Sequence, residues 1–310
     1  MDSPYTIAVQ NQEYKISLKT FISDLPAIQC VRYDEDSNFI AAGGNGKIIV
    51  VTSAKMHTIN CEDSITSVCW KPRSSGSKTK NVILACESEG AISQWHTTSR
   101  KCLHRLQTPC ELYSIDYHKH FPLFVSGGKD GIIRLYDDIT KTLINEFEQI
   151  HTSRVFCVKS ITEDPNVLLS GGWDSTLQIW DIREKAAVRT LLGPHICGEA
   201  IDYKNGEVLA GSWREKHALQ IFSMQTGTLI RDVNLYTHSW IYSTRFADEG
   251  NWIVACGSNN NQIAVIENYE QIGNVQNFPQ PLFSCDITKS HKTVVVGCGD
   301  GSLSLFNIQL

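Results

Sequence analysis

The stretch Leu169-Ser170-Gly171-Gly172-Trp173-Asp174-Ser175-Thr176-Leu177-Gln178-Ile179-Trp180-Asp181 decides how the chain folds. Small residues lead into a turn carrying an aspartate, a β-rich run follows, and an aromatic-acid pair closes it. Moving outward, the same order recurs in Val125-Ser126-Gly127-Gly128-Lys129-Asp130-Gly131-Ile132-Ile133-Arg134-Leu135-Tyr136-Asp137. Weaker copies end at Val51, Trp95-His96, Phe222-Ser223, Ile266-Glu267 and Phe306-Asn307. The closing positions 51, 95, 136, 180, 222, 266 and 306 lie 44, 41, 44, 42, 44 and 40 residues apart. A period near forty residues is the mark of a repeat architecture.

Within each unit the β-prone runs are short and separated by turn residues, as at 155–160, 167–170, 177–181 and 187–192 of the fourth. Four strands per repeat follow, and no stretch joins helical spacing to helix caps, so the chain reads as all-β. The repeats fall at 26–61, 62–107, 108–149, 150–193, 194–235, 236–276 and 277–310. The last has room for three strands only, at 282–287, 293–297 and 302–307. Residues 13–19, Glu13-Tyr14-Lys15-Ile16-Ser17-Leu18-Lys19, alternate apolar and polar side chains and are expected to supply the fourth. Such closure removes open sheet edges. One domain, a seven-bladed propeller over 1–310, is the expected architecture.

The period, the four short strands, the Gly-x-Asp turns and the Trp180-Asp181 pair resemble the WD-repeat propeller family over nearly the whole chain. That resemblance implies a hydrogen-bonded tetrad in the fourth repeat, made of His151, Ser170, Asp174 and Trp180. The histidine position reads Asp24, Cys61, Thr108, Pro194, Thr237 and Phe278 elsewhere, so those blades are expected to be less rigid. It also implies that three positions per repeat face a partner around the central channel: the residue before the first strand, the residue two into it, and the residue preceding the turn aspartate. The first two repeats place Ala27, Cys30, Gly44, Ser64, Ser67 and Ser88 there, and the seventh places Pro281, Ser284 and Gly299. The character changes between them, with Glu111, Ser114 and Lys129, then Arg154, Cys157 and Trp173, then Cys197, Ala200 and Trp213 followed by Arg214, then Trp240, Ser243 and Asn259.

Three tryptophans and two arginines on neighbouring blades suit an interaction hot spot. The expected partner-binding set is Lys129, Arg154, Trp173, Trp213, Arg214, Trp240 and Asn259, and its ligand a peptide with acidic or aromatic anchors. The competing reading folds the tryptophans back to plug the channel. A second resemblance lies in Ile179-Trp180-Asp181-Ile182-Arg183, which is similar to the W-D-x-R box of cullin-type ubiquitin-ligase substrate receptors; it implies an adaptor contact at Asp181 and Arg183. The third repeat departs from that box, reading Tyr136-Asp137-Asp138-Ile139.

Bulk properties narrow the alternatives. With 28 basic against 33 acidic residues the net charge is −5, which speaks against nucleic-acid or anionic-membrane binding. Eleven cysteines show no C-x-x-C pair or zinc-ligand spacing, so reduced thiols are expected, with neither metal nor cofactor. The start of the chain has no leader pattern and no segment reaches membrane-spanning length. A cytoplasmic protein is expected, with the nucleus as the alternative, acting as a monomeric propeller within a larger complex. Gly43-Gly44-Asn45-Gly46 and Gly297-Cys298-Gly299-Asp300-Gly301 open no helix and read as turns, not phosphate cradles. The basic segment 71–80 reads as a flexible connector. No nucleophile elbow, kinase motif or P-loop occurs, which disfavours an enzyme; the propeller-enzyme reading requires titratable groups meeting across the ring.

Overall fold

Each repeat becomes an antiparallel sheet because its turns are closed by its own side chains. In the computed structural model, which describes residues 6–9, 15–52, 55–73, 80–147, 150–247, 251–288, 290 and 293–309, the fourth blade consists of Val155–Ser160, Val167–Gly172, Thr176–Asp181 and Ala186–Leu192. Between its second and third strands, Asp174 Oδ1 accepts the Thr176 N–H at 3.1 Å and Ser175 takes a positive φ of 58°. Asp130 and Asp300 close the matching turns onto Ile132 and Ser302. The glycine before the turn has a different cause. A Cβ on Gly172 would lie 2.0 Å from the Arg154 carbonyl oxygen, so only a residue without one lets the second strand approach the start of the first so closely.

Seven such sheets follow one another, all antiparallel, with no helix among the described residues. Their first strands form the inner wall: Cys30–Tyr33, Ile65–Trp70, Leu112–Tyr117, Val155–Ser160, Ile201–Lys204, Trp240–Ala247 and Leu282–Ile287. Each packs on the next, and the seventh packs on the first. Side chains staple the inner strands across blades. Ser114 Oγ accepts the Val158 N–H at 3.0 Å, Ser243 Oγ that of Cys285 at 3.2 Å, and Ser284 Oγ that of Val31 at 3.1 Å. Two residues further along, Asp116, Asp202 and Asp286 accept the N–H groups of Ser160, Phe246 and Tyr33. Apolar side chains of the second and third strands fill the space between blades, among them Leu169, Ile179 and Leu209, all buried.

The ring closes as the sequence leads one to expect, with Lys15–Ile22 pairing antiparallel along Ser302–Gln309, Lys15 opposite Gln309 and Ile22 opposite Ser302. The strand runs three residues beyond the expected end at 19; Glu13 and Tyr14 lie outside the described residues. One element is unforeseen. Thr6–Val9 adds a fifth strand to the sixth blade, pairing with Glu270–Gln276 on its outer edge. The amino-terminal segment thus spans two blades.

The segment expected as a flexible connector behaves otherwise where it is described. Lys71 Nζ lies 2.5 Å from Asp138 Oδ2, a buried carboxylate that also holds Lys141 and Gln94, and Arg73 pairs with Asp36. Residues 74–79 lie outside the described residues.

Candidate protein-binding face

The fourth blade carries its polar tetrad as a one-way chain of hydrogen bonds. Trp180 Nε1 donates to Ser170 Oγ at 2.8 Å, Ser170 Oγ meets His151 Nε2 at 2.7 Å, and His151 Nδ1 meets Asp174 Oδ2 at 2.7 Å. With Nδ1–H donating to the carboxylate, the ring's other nitrogen accepts the serine O–H and leaves that oxygen to accept the indole N–H. Every buried polar atom of the set then has a partner. Burial alone would raise the Asp174 carboxyl, but the His151 contact and the Thr176 hydrogen bonds outweigh it and hold the group below its ordinary value.

Blades without the tetrad are tied by other polar networks. In the second, Trp95 Nε1 donates to Ser93 Oγ, which donates to the fully buried Glu87, and Arg105 neutralises that carboxylate at 2.9 Å. In the third, Arg134 holds Asp130 and Glu146 at 2.6 and 2.7 Å. In the sixth, Asn274 Nδ2 donates to Gln262 Oε1, and Gln262 Nε2 donates to Thr237 Oγ1.

The partner-facing positions divide by exposure. The residue two into the first strand points between blades: Cys30, Ser67, Ser114, Cys157, Ala200, Ser243 and Ser284 are all buried. This corrects the expectation that they face a partner. In five of the blades the inner strand carries a β-bulge near its start, between Ile65 and Ser67, Leu112 and Ser114, Val155 and Cys157, Ile241 and Ser243, and Leu282 and Ser284. One extra residue shifts the alternation by one and re-aims the side chain before it. Thr66, Tyr113, Phe156, Tyr242 and Phe283 are therefore the residues that reach the channel mouth. The strand signal alone could not show this, because the alternation it relies on is what the bulge interrupts.

Those bulge aromatics join the tryptophans into one surface. Tyr113 stacks on Phe156 with centroids 4.7 Å apart, Phe156 meets Trp173 at 5.3 Å, and Tyr242 meets Phe283 edge-on at 5.5 Å. Trp213 lies 4.7 Å from Trp240, and its indole N–H donates to Tyr242 Oη at 3.1 Å. Trp173 and Trp213 are 40% and 37% exposed, so neither folds back as a plug; Trp240 is half-buried. His195 stacks on Trp173, and burial together with the nearby Arg214 charge lowers its pKa.

The cations differ among themselves. Arg154 lies over the Trp173 ring at 5.1 Å. Arg214 Nη2 donates to the His217 carbonyl and Gln220 Oε1, neutral groups. Lys129, in contrast, sits 2.5 Å from Glu111 Oε1, and its hydrogen bond holds that exposed carboxyl below the usual range. Asn259 is exposed and donates to the His238 carbonyl.

Beneath the aromatic surface is a cavity of about 210 Å³, walled by Tyr113, Phe156, Tyr242 and Phe283. Its buried end is Glu199, which sequence reasoning missed. The fifth blade's inner strand begins late, at Ile201, and Gly198 passes so close to the sixth blade that a Cβ would lie 2.4 Å from the Tyr242 carbonyl oxygen. Glu199 is thereby pushed into the channel. Its carboxylate receives Ser67 Oγ of blade two at 2.6 Å and Arg32 of blade one at 2.7 Å, with Arg245 of blade six and Ser284 of blade seven at 3.5 and 3.4 Å. A Gly-Glu pair before a strand carries no signal of such a role.

At the opposite end of blade four, the Arg183 side chain is 66% exposed and its Nη2 lies 2.6 Å from Asp181 Oδ2. The Arg183 hydrogen bond is the main reason that the Asp181 carboxyl falls to about 2. Among the described residues, no group of His, Cys, Asp and Glu is placed to hold a metal, and no helix is long and apolar enough to cross a membrane.

Comparison with known proteins agrees with this geometry. The family model for the WD domain, G-beta repeat, matches residues 100–137, 142–181 and 228–266, which lie along strands of the second to sixth blades. Protein groucho of Drosophila melanogaster is 28% identical over 191 residues, covering 58% of this chain and 24% of that protein. The chain therefore spans about a quarter of the length of this relative. The matched repeats, the tetrad of the fourth blade and seven antiparallel sheets closed into a ring support the resemblance to WD-repeat β-propellers.

Proposed function

We propose that the chain is a protein-interaction scaffold that holds a peptide segment on the channel-mouth face over blades three to six. The observation that carries this reading is the aromatic surface from Tyr113 through Phe156 and Trp173 to Trp213, Trp240 and Tyr242, partly exposed on a rigid ring. Exposed aromatics on a fixed frame bury area on binding at little cost in entropy. Lys129, Arg154, Arg214 and Asn259 form the polar rim of the same face. The Ser170–His151–Asp174 set is buried and its serine oxygen receives the Trp180 indole, which fits a structural role better than a catalytic one. Free thiols at all eleven cysteines fit a reducing compartment, cytoplasm or nucleus.

A photo-crosslinking residue placed at Trp213 in the full chain, expressed in cells, tests the site. It should capture a defined set of proteins that the same residue at Val188, exposed on the outer edge of blade four, does not. Identical sets from the two positions would remove the proposed face.

The adaptor reading has one observation in its favour, the exposure of Arg183 held by Asp181. It requires that a cullin adaptor co-purify with the chain and be lost on Arg183→Glu.

A further inference from the structure

The cavity at the channel mouth has a chemistry narrower than "peptide". Its volume of about 210 Å³ falls below the roughly 300–1,000 Å³ of small-molecule sites, so it suits one side chain rather than a cofactor. A cationic side chain is disfavoured there. Both Glu199 carboxylate oxygens are already engaged, by Ser67 and by Arg32, and a further positive charge would face the Arg32 and Arg245 guanidiniums. A carboxylate is disfavoured too, because the walls are aromatic rings whose faces carry partial negative charge. An uncharged ring fits, meeting Tyr113, Phe156, Tyr242 and Phe283 in offset or edge-on contact.

The rim sets what flanks that anchor. Arg154 lies on Trp173, which packs on the wall residue Phe156; Arg214 follows Trp213, whose indole bonds to the wall residue Tyr242. Arg154 is thus one ring removed from the cavity, while Arg214 turns toward His217 and Gln220. Lys129 contributes less, being neutralised by Glu111.

From this we infer that the channel mouth binds an extended protein segment in which one aromatic side chain enters the cavity and neighbouring carboxylates contact Arg154 and Arg214. The inference rests on the proposed scaffold reading and deepens it. The occupant is a protein segment because the cavity is open to the face, with Arg154 beside its wall and Arg214 on the next blade, which suits successive side chains of one strand.

Selection of a phage-displayed random peptide library on the full chain tests it, with the Phe156→Arg variant, whose melting is checked first, as the counter-screen. The expected consensus is an aromatic residue flanked by Asp or Glu. In a synthetic peptide from that consensus, replacing the aromatic by Ala should weaken binding on the order of 30-fold. Arg154→Gln and Arg214→Gln should each weaken it about threefold, and high salt should have a similar effect. A peptide with Lys in place of its acids should bind poorly to the native chain and regain affinity on the Arg154→Glu, Arg214→Glu double variant, a gain that misfolding cannot mimic. A consensus without acids or without an aromatic, from clones that still fail on Phe156→Arg, overturns this inference and leaves the scaffold reading standing. Clones that bind native and Phe156→Arg protein alike, or no clones at all, count against both.

Discussion

Ser170 is the residue on which blade four depends most. Its single oxygen receives the Trp180 indole and meets His151, so Ser170→Ala leaves two buried polar groups unpaired. The loss should be about 2–4 kcal/mol in urea unfolding, against near zero for Ser175→Ala in the adjoining turn. Asp174 gives the same network a pH dependence. Its folded pKa lies below the unfolded 3.8, so its contribution is complete above that value and disappears as pH falls through the folded one. The urea midpoint should therefore drop as pH falls below about 4, and Asp174→Asn should flatten that part of the curve. His151, Ser170, Asp174 and Trp180 were legible in the sequence because the resemblance to WD-repeat propellers implies a tetrad and the repeat period shows which residues occupy its positions. Glu199 was not, since its role comes from partners 46 to 167 positions away along the chain.

At the scale of the strand, the bulge separates what pattern reading finds from what it misses. Periodicity located the inner strands, yet counting two residues into each selected the buried Ser114 and Ser243 rather than Tyr113 and Tyr242. A one-residue slip moves every side chain to the other face. The amino-terminal strands invite a direct comparison. Removing residues 1–9 takes away only the fifth strand of blade six, and the protein should still melt cooperatively at a slightly lower temperature. Removing residues 1–22 strips the eight-residue ladder from Ser302–Gln309, leaves an open edge, and should give aggregation on size-exclusion chromatography.

At the scale of the whole molecule, Glu199 joins blade five to blades one, two, six and seven through one carboxylate. Glu199→Ala leaves Arg32 and Arg245 without their shared counter-charge, and calorimetry should show a loss of roughly 3–5 kcal/mol. Because the same residue floors the aromatic cavity, peptide binding should weaken along with stability. The sequence by itself determined the seven repeats and their four strands, because each follows from local turn chemistry repeated at a fixed period, and its resemblance to WD-repeat propellers implied the closing strand and the tetrad. Only the tertiary structure decided which residues line the channel mouth and what lies beneath them. Those choices depend on bulges, on the late start of one strand, and on side chains from five blades converging on a point that no local pattern encodes.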